Sequence, residues 1–187
     1  MPVDRNIECF NVTKKKPIKD LFYAMSHGVN RAILKKGKND SRIHFLNLLI
    51  KKLENIDYDF YGFQNKEPIW GNDFYKALAN SKMGLNLSRG LPTKYYSSNR
   101  IASLMGNGLL TFVDKKTQLN DIFNKNEIVI YNGINDLTEK INYFKKNDKL
   151  RIKIASTGRK KYFKLFNEVR TTKYILDISQ GKKNILY

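Results

Sequence analysis

Short apolar runs alternate with longer amphipathic segments along most of this sequence, and this alternation restricts the chain to few architectures. The runs expected to form strands cover residues 20–26, 57–63, 83–88, 109–113 and 127–131. The segments between them place apolar side chains three and four residues apart, which is the spacing of one helix face. Strands that alternate with helices predict an α/β fold, a doubly wound Rossmann-like parallel sheet of about five or six strands.

The predicted helices lie between and after these strands. They cover residues 41–53, 73–80, 98–105, 119–123 and 136–144, and helical periodicity continues after residue 149 without another strand. Residues 1–19 carry Pro2, Pro17 and three consecutive lysines but no periodicity, so we expect a linker-like segment there. The predicted domain covers residues 20–148, and residues 149–187 are expected to be helices that pack on it or on a partner domain.

Length and cysteine content restrict the class of protein. A chain of 187 residues suits one domain, and its single cysteine cannot form a disulfide within the chain. No apolar run reaches the roughly 20 residues of a membrane helix, and the first residues do not resemble a signal peptide. These features predict a cytoplasmic protein without a transmembrane segment, either free or peripheral at the inner face of the membrane.

The formal net charge of +18 admits two interpretations. Lysine and arginine neutralise phosphates, so the chain could be a basic α/β module that binds nucleic acid or another acidic partner. The lysines are nevertheless scattered along the chain, and lysine is one of several abundant residue types that A- and T-rich codons encode. We therefore expect solvated basic faces and no specific nucleic-acid partner.

The first predicted strand ends in a segment with the composition of a phosphate-binding loop. Gly28, Arg31 and Lys36 follow its carboxyl end, where ligands of doubly wound sheets bind. Glycine permits close approach, arginine offers a planar fork of donors, and lysine offers a compact charge. A basic surface loop would have the same composition. His27 is a candidate general base, although a histidine in such a loop is more often an ordinary hydrogen-bonded residue.

A second candidate anion site lies at the start of the predicted helix 98–105. Ser97 or Ser98 is expected to cap this helix, and Arg100 lies in its first turn. A positive charge there opposes the helix dipole, so we expect Arg100 either to extend into solvent or to meet an anion. At the other end, Gly106 and Gly108 permit a tight turn into the next strand.

Other kinds of site have less support in the sequence. Trp70, Tyr95 and Tyr96 could stack on a nucleobase or a sugar, but we expect burial against the sheet. The sequence contains no metal-ligand spacing, no nucleophile motif and no Walker lysine loop. We therefore expect neither a metal nor a cofactor.

Three segments carry a resemblance to a known family. They are DFYKALANSKMGLNLSRG, then YYSSNRIASLMGNGLLTFVD, and finally EIVIYNGINDLTEKINYF followed by RIKIASTGRKKYFKLFN. They resemble the C-terminal, donor-binding half of a GT-B glycosyltransferase, particularly the spore-coat-type relatives of glycosyl transferases group 1. The resemblance covers most of the chain and implies transfer of a sugar from a nucleotide-diphosphate sugar to a hydroxyl of a glycan, lipid or protein, as in polysaccharide biosynthesis.

The resemblance also implies which residues face the donor substrate. It puts the diphosphate near Gly28, Arg31, Lys36 and Arg100, because Arg31 and Lys36 have an R-x4-K spacing similar to that of the family. The resemblance implies that the loop after the strand 83–88 also faces the donor. The residues concerned are Ser88, Arg89, Gly90, Tyr96, Ser97, Ser98 and Ser103.

Two departures from the family pattern change these expectations. Ser103 stands where the family usually has a glutamate that holds the donor ribose, so we expect a different ribose contact. The acceptor-binding half has no counterpart here, and the first residues resemble the linker between the halves. We expect a donor-binding domain that is part of a longer product, acts with an N-terminal acceptor domain or subunit, or only binds. The basic binding module remains the alternative.

Overall fold

The computed structural model describes residues 10–26, 33–34, 38–39 and 41–182, and its centre is a parallel sheet. After β1 (Lys19–Ala24), a short antiparallel pair is formed by β2 (Ile33–Leu34) and β3 (Lys38–Asn39). The other strands are β4 (Tyr58–Tyr61), β5 (Ser81–Asn86), β6 (Leu110–Asp114) and β7 (Val129–Tyr131). The sheet has the order β4-β1-β5-β6-β7 with every pair parallel, which confirms the predicted α/β class.

Six helices are found in the described part of the chain. They are α1 (Ser41–Lys52), α2 (Gly71–Ala79), α3 (Asn99–Gly106), α4 (Gly133–Lys146), α5 (Asp148–Leu165) and α6 (Glu168–Ser179). The helix predicted at 119–123 is only a 3-10 turn, Leu119–Asp121, whereas the helical end of the chain is confirmed. None of the described helices is long and apolar enough to cross a membrane.

Apolar side chains on both faces of the sheet pack against these helices. On one face, Tyr23 and Leu85 belong to a large buried cluster that includes residues of α1 and α4. On the other face, Phe22 packs with Leu78 of α2 and Leu104 of α3. The sheet is therefore buried on both sides, and its strands are exposed to ligands mainly at their ends.

The strand order creates a crevice at the carboxyl ends of β1 and β5. The chain runs from β1 to β4 on one side and then returns to the other side of β1 to form β5. The connections that leave β1 and β5 therefore diverge. Doubly wound sheets bind ligands where the strand order reverses in this way.

Helix α3 lies very close to β5 because β5 contains a glycine. A Cβ atom on Gly84 would lie 2.3 Å from Cδ2 of Leu104. The helix ends where Gly108, with φ of 80°, lets the amide of Leu109 donate to the carbonyl oxygen of Leu104 at 3.0 Å. The predicted glycine turn into β6 is therefore present, with Gly108 as its left-handed residue.

The described part of the linker-like N-terminal segment packs against the end of α3. It contains one 3-10 turn, Val12–Lys14, and Val12 is completely buried beside Leu104 and Leu109. The amide of Val12 donates to the carbonyl oxygen of Asn107 at 2.7 Å. These contacts help to hold α3 in place.

Candidate functional site

The guanidinium of Arg100 lies in the crevice between the ends of β1 and β5. Its Nε donates to the carbonyl oxygen of Ala24 at 3.2 Å, and its Nη1 donates to the carbonyl oxygen of Leu87 at 2.8 Å. Ala24 is the last residue of β1 and Leu87 is the first residue after β5. Arg100 therefore joins the two strand ends. Of the two expected arrangements, extension into solvent is not observed.

The described residues balance the positive charge of Arg100 only in part. No carboxylate of the described residues forms an ion pair with it, and its Cζ lies 5.0 Å from the ring centre of Tyr23. Burial lowers the pKa of Arg100, and the positive charge of Arg42 in α1 acts in the same direction. Arginine stays protonated in proteins, so an anion in the crevice would meet a fixed and partly desolvated cation.

Beside the N terminus of α3, the last residue of β5 carries a buried donor that no described residue uses. Ser98 is the N-cap, but its hydroxyl donates to Oδ1 of Asn86 at 3.2 Å and does not accept from the helix. Asn86 ends β5 and is 2% exposed, and its Nδ2 has no hydrogen-bond partner in the part of the chain that the structure describes. An unsatisfied buried donor costs about 1–3 kcal/mol, so a functional reason for it is expected.

A cleft of about 430 Å³, here called the aromatic cleft, opens beside Arg100. Residues 24–26 at the end of β1 form part of it. Its lining includes residues of the segment that begins α2, namely Ile69, Trp70, Gly71, Phe74 and Tyr75, and residues of α3, namely Asn99, Arg100 and Ser103. The cleft thus combines aromatic side chains with polar ones that include a positive charge, and none of its described lining residues is a carboxylate.

A second cleft of about 390 Å³, here called the α3 cleft, is lined by residues 96–100. It shares Asn99 and Arg100 with the aromatic cleft. Both clefts therefore open around the first turn of α3, at the crevice of the sheet.

The loop before α3 is attached to the loop after β6 through Tyr95. The amide of Tyr95 donates to the carbonyl oxygen of Thr117 at 2.8 Å, and its hydroxyl donates to Asp121 at 2.8 Å. Tyr95 has φ of 57°, a left-handed conformation that residues other than glycine rarely adopt. These contacts fix the backbone next to the residues that line the α3 cleft.

The structure brings together some of the predicted site residues. Arg100 lines both clefts, Ser103 lines the aromatic cleft, and the α3 cleft includes Tyr96, Ser97 and Ser98. The Ser103 hydroxyl donates to the carbonyl oxygen of Asn99 at 3.1 Å.

The remaining predicted site residues fall into two groups. Ser88, Arg89 and Gly90 line neither of the two clefts. Four predicted residues lie outside the described residues, namely His27, Gly28, Arg31 and Lys36. In the ranges that the structure describes, no group of three or more His, Cys, Asp or Glu side chains could hold a metal ion.

The prediction that the aromatic candidates are buried is wrong. Trp70 is 67% exposed, and Tyr95 and Tyr96 are each 46% exposed. The sequence reasoning also missed Asn86 and Arg42, which are buried at the end of β5 and the start of α1. The polar residue within the apolar segment MGLNLS was the one available signal for Asn86.

Comparison with known proteins identifies a family and the fold. The sequence profile of a family described as glycosyl transferase-like matches residues 38–177, which is more than half of the chain. No curated protein matches the sequence.

Solved structures of two proteins are similar to this chain. The crystal structure of TarM has 15% sequence identity and a TM-score of 0.63, with 91% of this chain and 36% of TarM covered. The structure of Anabaena Alr3699/HepE in complex with UDP-glucose has 11% identity and a TM-score of 0.68, with 96% and 56% covered. At these identities the likeness establishes the fold, and the chain spans between about a third and just over half of those proteins.

Proposed function

The chain belongs to the glycosyl transferase-like family, and we propose that it is the donor-binding domain of a GT-B glycosyltransferase. In this proposal it holds a nucleotide-diphosphate sugar while the sugar is transferred to a hydroxyl acceptor. Residues 20–148 bind the donor, and the helices after them complete the domain or contact a partner. The observation that carries the proposal is the fixed cation Arg100 at the point where the strand order reverses.

The α3 cleft suits the diphosphate. A phosphate there would lie at the N terminus of α3, where helix amides and the helix dipole favour an anion. Arg100 would supply the positive charge. The Nδ2 of Asn86, which has no partner among the described residues, lies beside the N-cap of the same helix. From the sequence, Arg31 and Lys36 would add charge near Gly28.

The aromatic cleft suits the nucleoside, because it adjoins the α3 cleft and shares Asn99 and Arg100 with it. A nucleoside diphosphate could therefore occupy both clefts with its phosphates near the start of α3. Ser103 lines this cleft with a hydroxyl that already donates to Asn99. The oxygen of this hydroxyl still has lone pairs that would accept a hydrogen bond from a ribose hydroxyl. That hydrogen bond would be weaker than one to a carboxylate.

The chemical task of this site is to stabilise the leaving diphosphate. The bond between the anomeric carbon and the diphosphate oxygen breaks, and its electron pair leaves with the diphosphate. The acceptor oxygen forms the new bond to the sugar and loses its proton, for which His27 is the candidate base from sequence. Preorganised cations and helix amides stabilise the charge that develops on the diphosphate.

We further propose that an N-terminal acceptor domain or subunit completes the enzyme and that α6 contacts it. No residue of α6 is buried, and its apolar residues Val169, Ile175 and Leu176 are 71%, 59% and 52% exposed. The chain also spans only part of the similar structures. Sugar transfer to a glycan, lipid or protein is expected only when that half is supplied.

Calorimetric titration with nucleoside diphosphates tests this function. The purified chain is titrated with uridine and guanosine diphosphate, with EDTA present and at two salt concentrations. Saturable binding of one equivalent with a preference for one base supports the proposal, and HepE has been crystallised in complex with UDP and with UDP-glucose. Affinity that falls steeply with salt and ignores the base would instead indicate the basic binding module.

A further inference from the structure

Trp70 is the single tryptophan of the chain, and it lies unusually exposed at the edge of the aromatic cleft. It precedes α2 as the N-cap residue, with an extended backbone and no capping hydrogen bond from its side chain. A large aromatic side chain that is 67% exposed gains little from burial. The packing of the domain therefore does not explain why a tryptophan occupies this position.

The surroundings of Trp70 favour a flat aromatic ligand. Ile69 and Phe74 extend the apolar wall on which Trp70 lies, and Phe74 is held by an edge-to-face contact with Phe22 at 5.6 Å between ring centres. The same cleft is lined by Arg100, and none of its described lining residues is a carboxylate. A cleft that holds both apolar side chains and a fixed cation suits a heteroaromatic ring that is joined to an anionic group.

We infer that Trp70 is the stacking surface for the base of the bound nucleotide, an inference that rests on the proposed function. The α3 cleft would hold the phosphates, and the ribose would pass Asn99 and Ser103 on the way to Trp70. Every nucleobase has a π-face, so Trp70 contributes affinity without selecting the base.

The tryptophan fluorescence of the full chain tests the inference directly, because all of that emission comes from Trp70. The chain is titrated with uridine diphosphate, with inorganic pyrophosphate and with uridine diphosphate glucose, and calorimetry measures binding in parallel. We expect uridine diphosphate to quench the emission at the concentration where calorimetry reports binding. Pyrophosphate, which has no base, is expected to leave the emission unchanged.

Substitution supplies the second measurement. Trp70→Ala is expected to weaken binding of uridine diphosphate by about 5-fold to 150-fold and to leave binding of pyrophosphate unchanged. Trp70→Phe keeps an aromatic face and should retain most of the affinity. Tyr143→Ala removes an aromatic residue of α4 that is 51% exposed and is the matched control, with no expected change.

The outcomes separate this inference from the proposed function. If uridine diphosphate binds while the emission and the affinity of Trp70→Ala stay unchanged, the stacking role is wrong and the proposed function stands. If only uridine diphosphate glucose changes the emission, Trp70 contacts the sugar and the assignment to the base is wrong. If no nucleotide binds the chain, both are overturned.

Discussion

The Nη1 atom of Arg100 donates a 2.8 Å hydrogen bond to the carbonyl oxygen of Leu87, which attaches the first turn of α3 to the end of β5. A carbonyl oxygen orients the guanidinium without neutralising it. The charge is therefore held in a fixed position before any ligand arrives, and no reorganisation is needed when an anion binds.

Replacement of Arg100 is expected to lower both stability and nucleotide affinity. Arg100→Ala removes the charged donor from two carbonyl groups, so the free energy of unfolding should fall by about 2 kcal/mol. Affinity for a nucleoside diphosphate should fall about tenfold or more, because a charge-assisted contact is lost. Urea unfolding and calorimetry measure the two effects.

Arg100→Lys separates charge from geometry. A lysine keeps the charge, but its compact ammonium lacks the planar fork that reaches both Ala24 and Leu87. We expect affinity and stability between those of the wild type and Arg100→Ala. Wild-type affinity in Arg100→Ala, together with lower stability, would show that Arg100 only connects the strand ends.

Arg31→Ala is expected to act on binding alone. The sequence predicts Arg31 as a diphosphate contact, so the substitution should weaken nucleotide-sugar binding and leave the melting temperature nearly unchanged. Lys153→Ala, which removes an exposed charge from α5, controls for the change in net charge. A large loss of stability with unaltered binding would indicate a structural arginine.

Local sequence patterns predicted the five strands of the parallel sheet and most of the helices, because the apolar periodicity of each segment reflects the faces it buries. They did not predict the short pair β2 and β3. The same patterns predicted a glycine turn after α3, and Gly108 forms it with a positive φ. They did not predict the carbonyl partners of Arg100. Those partners depend on β1 and β5 being neighbours, a consequence of strand order that no single segment encodes.

Exposure was the weakest part of the sequence-based prediction. Trp70 lies between Ile69 and Phe74, and an apolar neighbourhood in sequence usually indicates burial. Trp70 has an extended backbone before α2 and is 67% exposed, whereas Phe74 contacts Phe22 of the sheet. Only the three-dimensional arrangement shows that the aromatic wall borders a cleft.

Gly158→Ala is expected to destabilise the fold although alanine favours helices. A Cβ atom at this position in α5 would lie 2.0 Å from the carbonyl oxygen of Glu127, a backbone atom that cannot move without shifting the segment before β7. Alanine gains about 1 kcal/mol of helix propensity, but overpacking of this severity costs more, so we expect a net loss of about 2 kcal/mol.

Urea unfolding measures this loss, and Ser156→Ala in the same helix is the control, expected to change stability by less than about 0.5 kcal/mol. A Gly158→Ala protein that is as stable as the wild type would contradict the close contact between α5 and Glu127.

Asp20 is expected to stabilise the fold in a pH-dependent way. The side chain is 2% exposed at the amino end of the sheet, and its oxygens contact Lys82 at 2.8 Å and Lys145 at 2.7 Å. Burial alone would raise the pKa of Asp20, but hydrogen bonds from Lys145, Lys82 and the amide of Asp57 outweigh it, so the pKa is lowered. The stabilisation is therefore complete above the ordinary pKa of about 4 and is lost as the pH falls below it.

Asp20→Asn should consequently lower the free energy of unfolding by about 1–3 kcal/mol at pH 7, and the difference from wild type should shrink as the pH falls below about 4. Asp73→Asn is the matched control, because Asp73 is exposed and lies 3.6 Å from Lys76, so its loss should matter little. Urea unfolding of the three proteins across this pH range provides the measurement. A difference between wild type and Asp20→Asn that stays constant in acid would mean that Asp20 acts through packing and not through its charge.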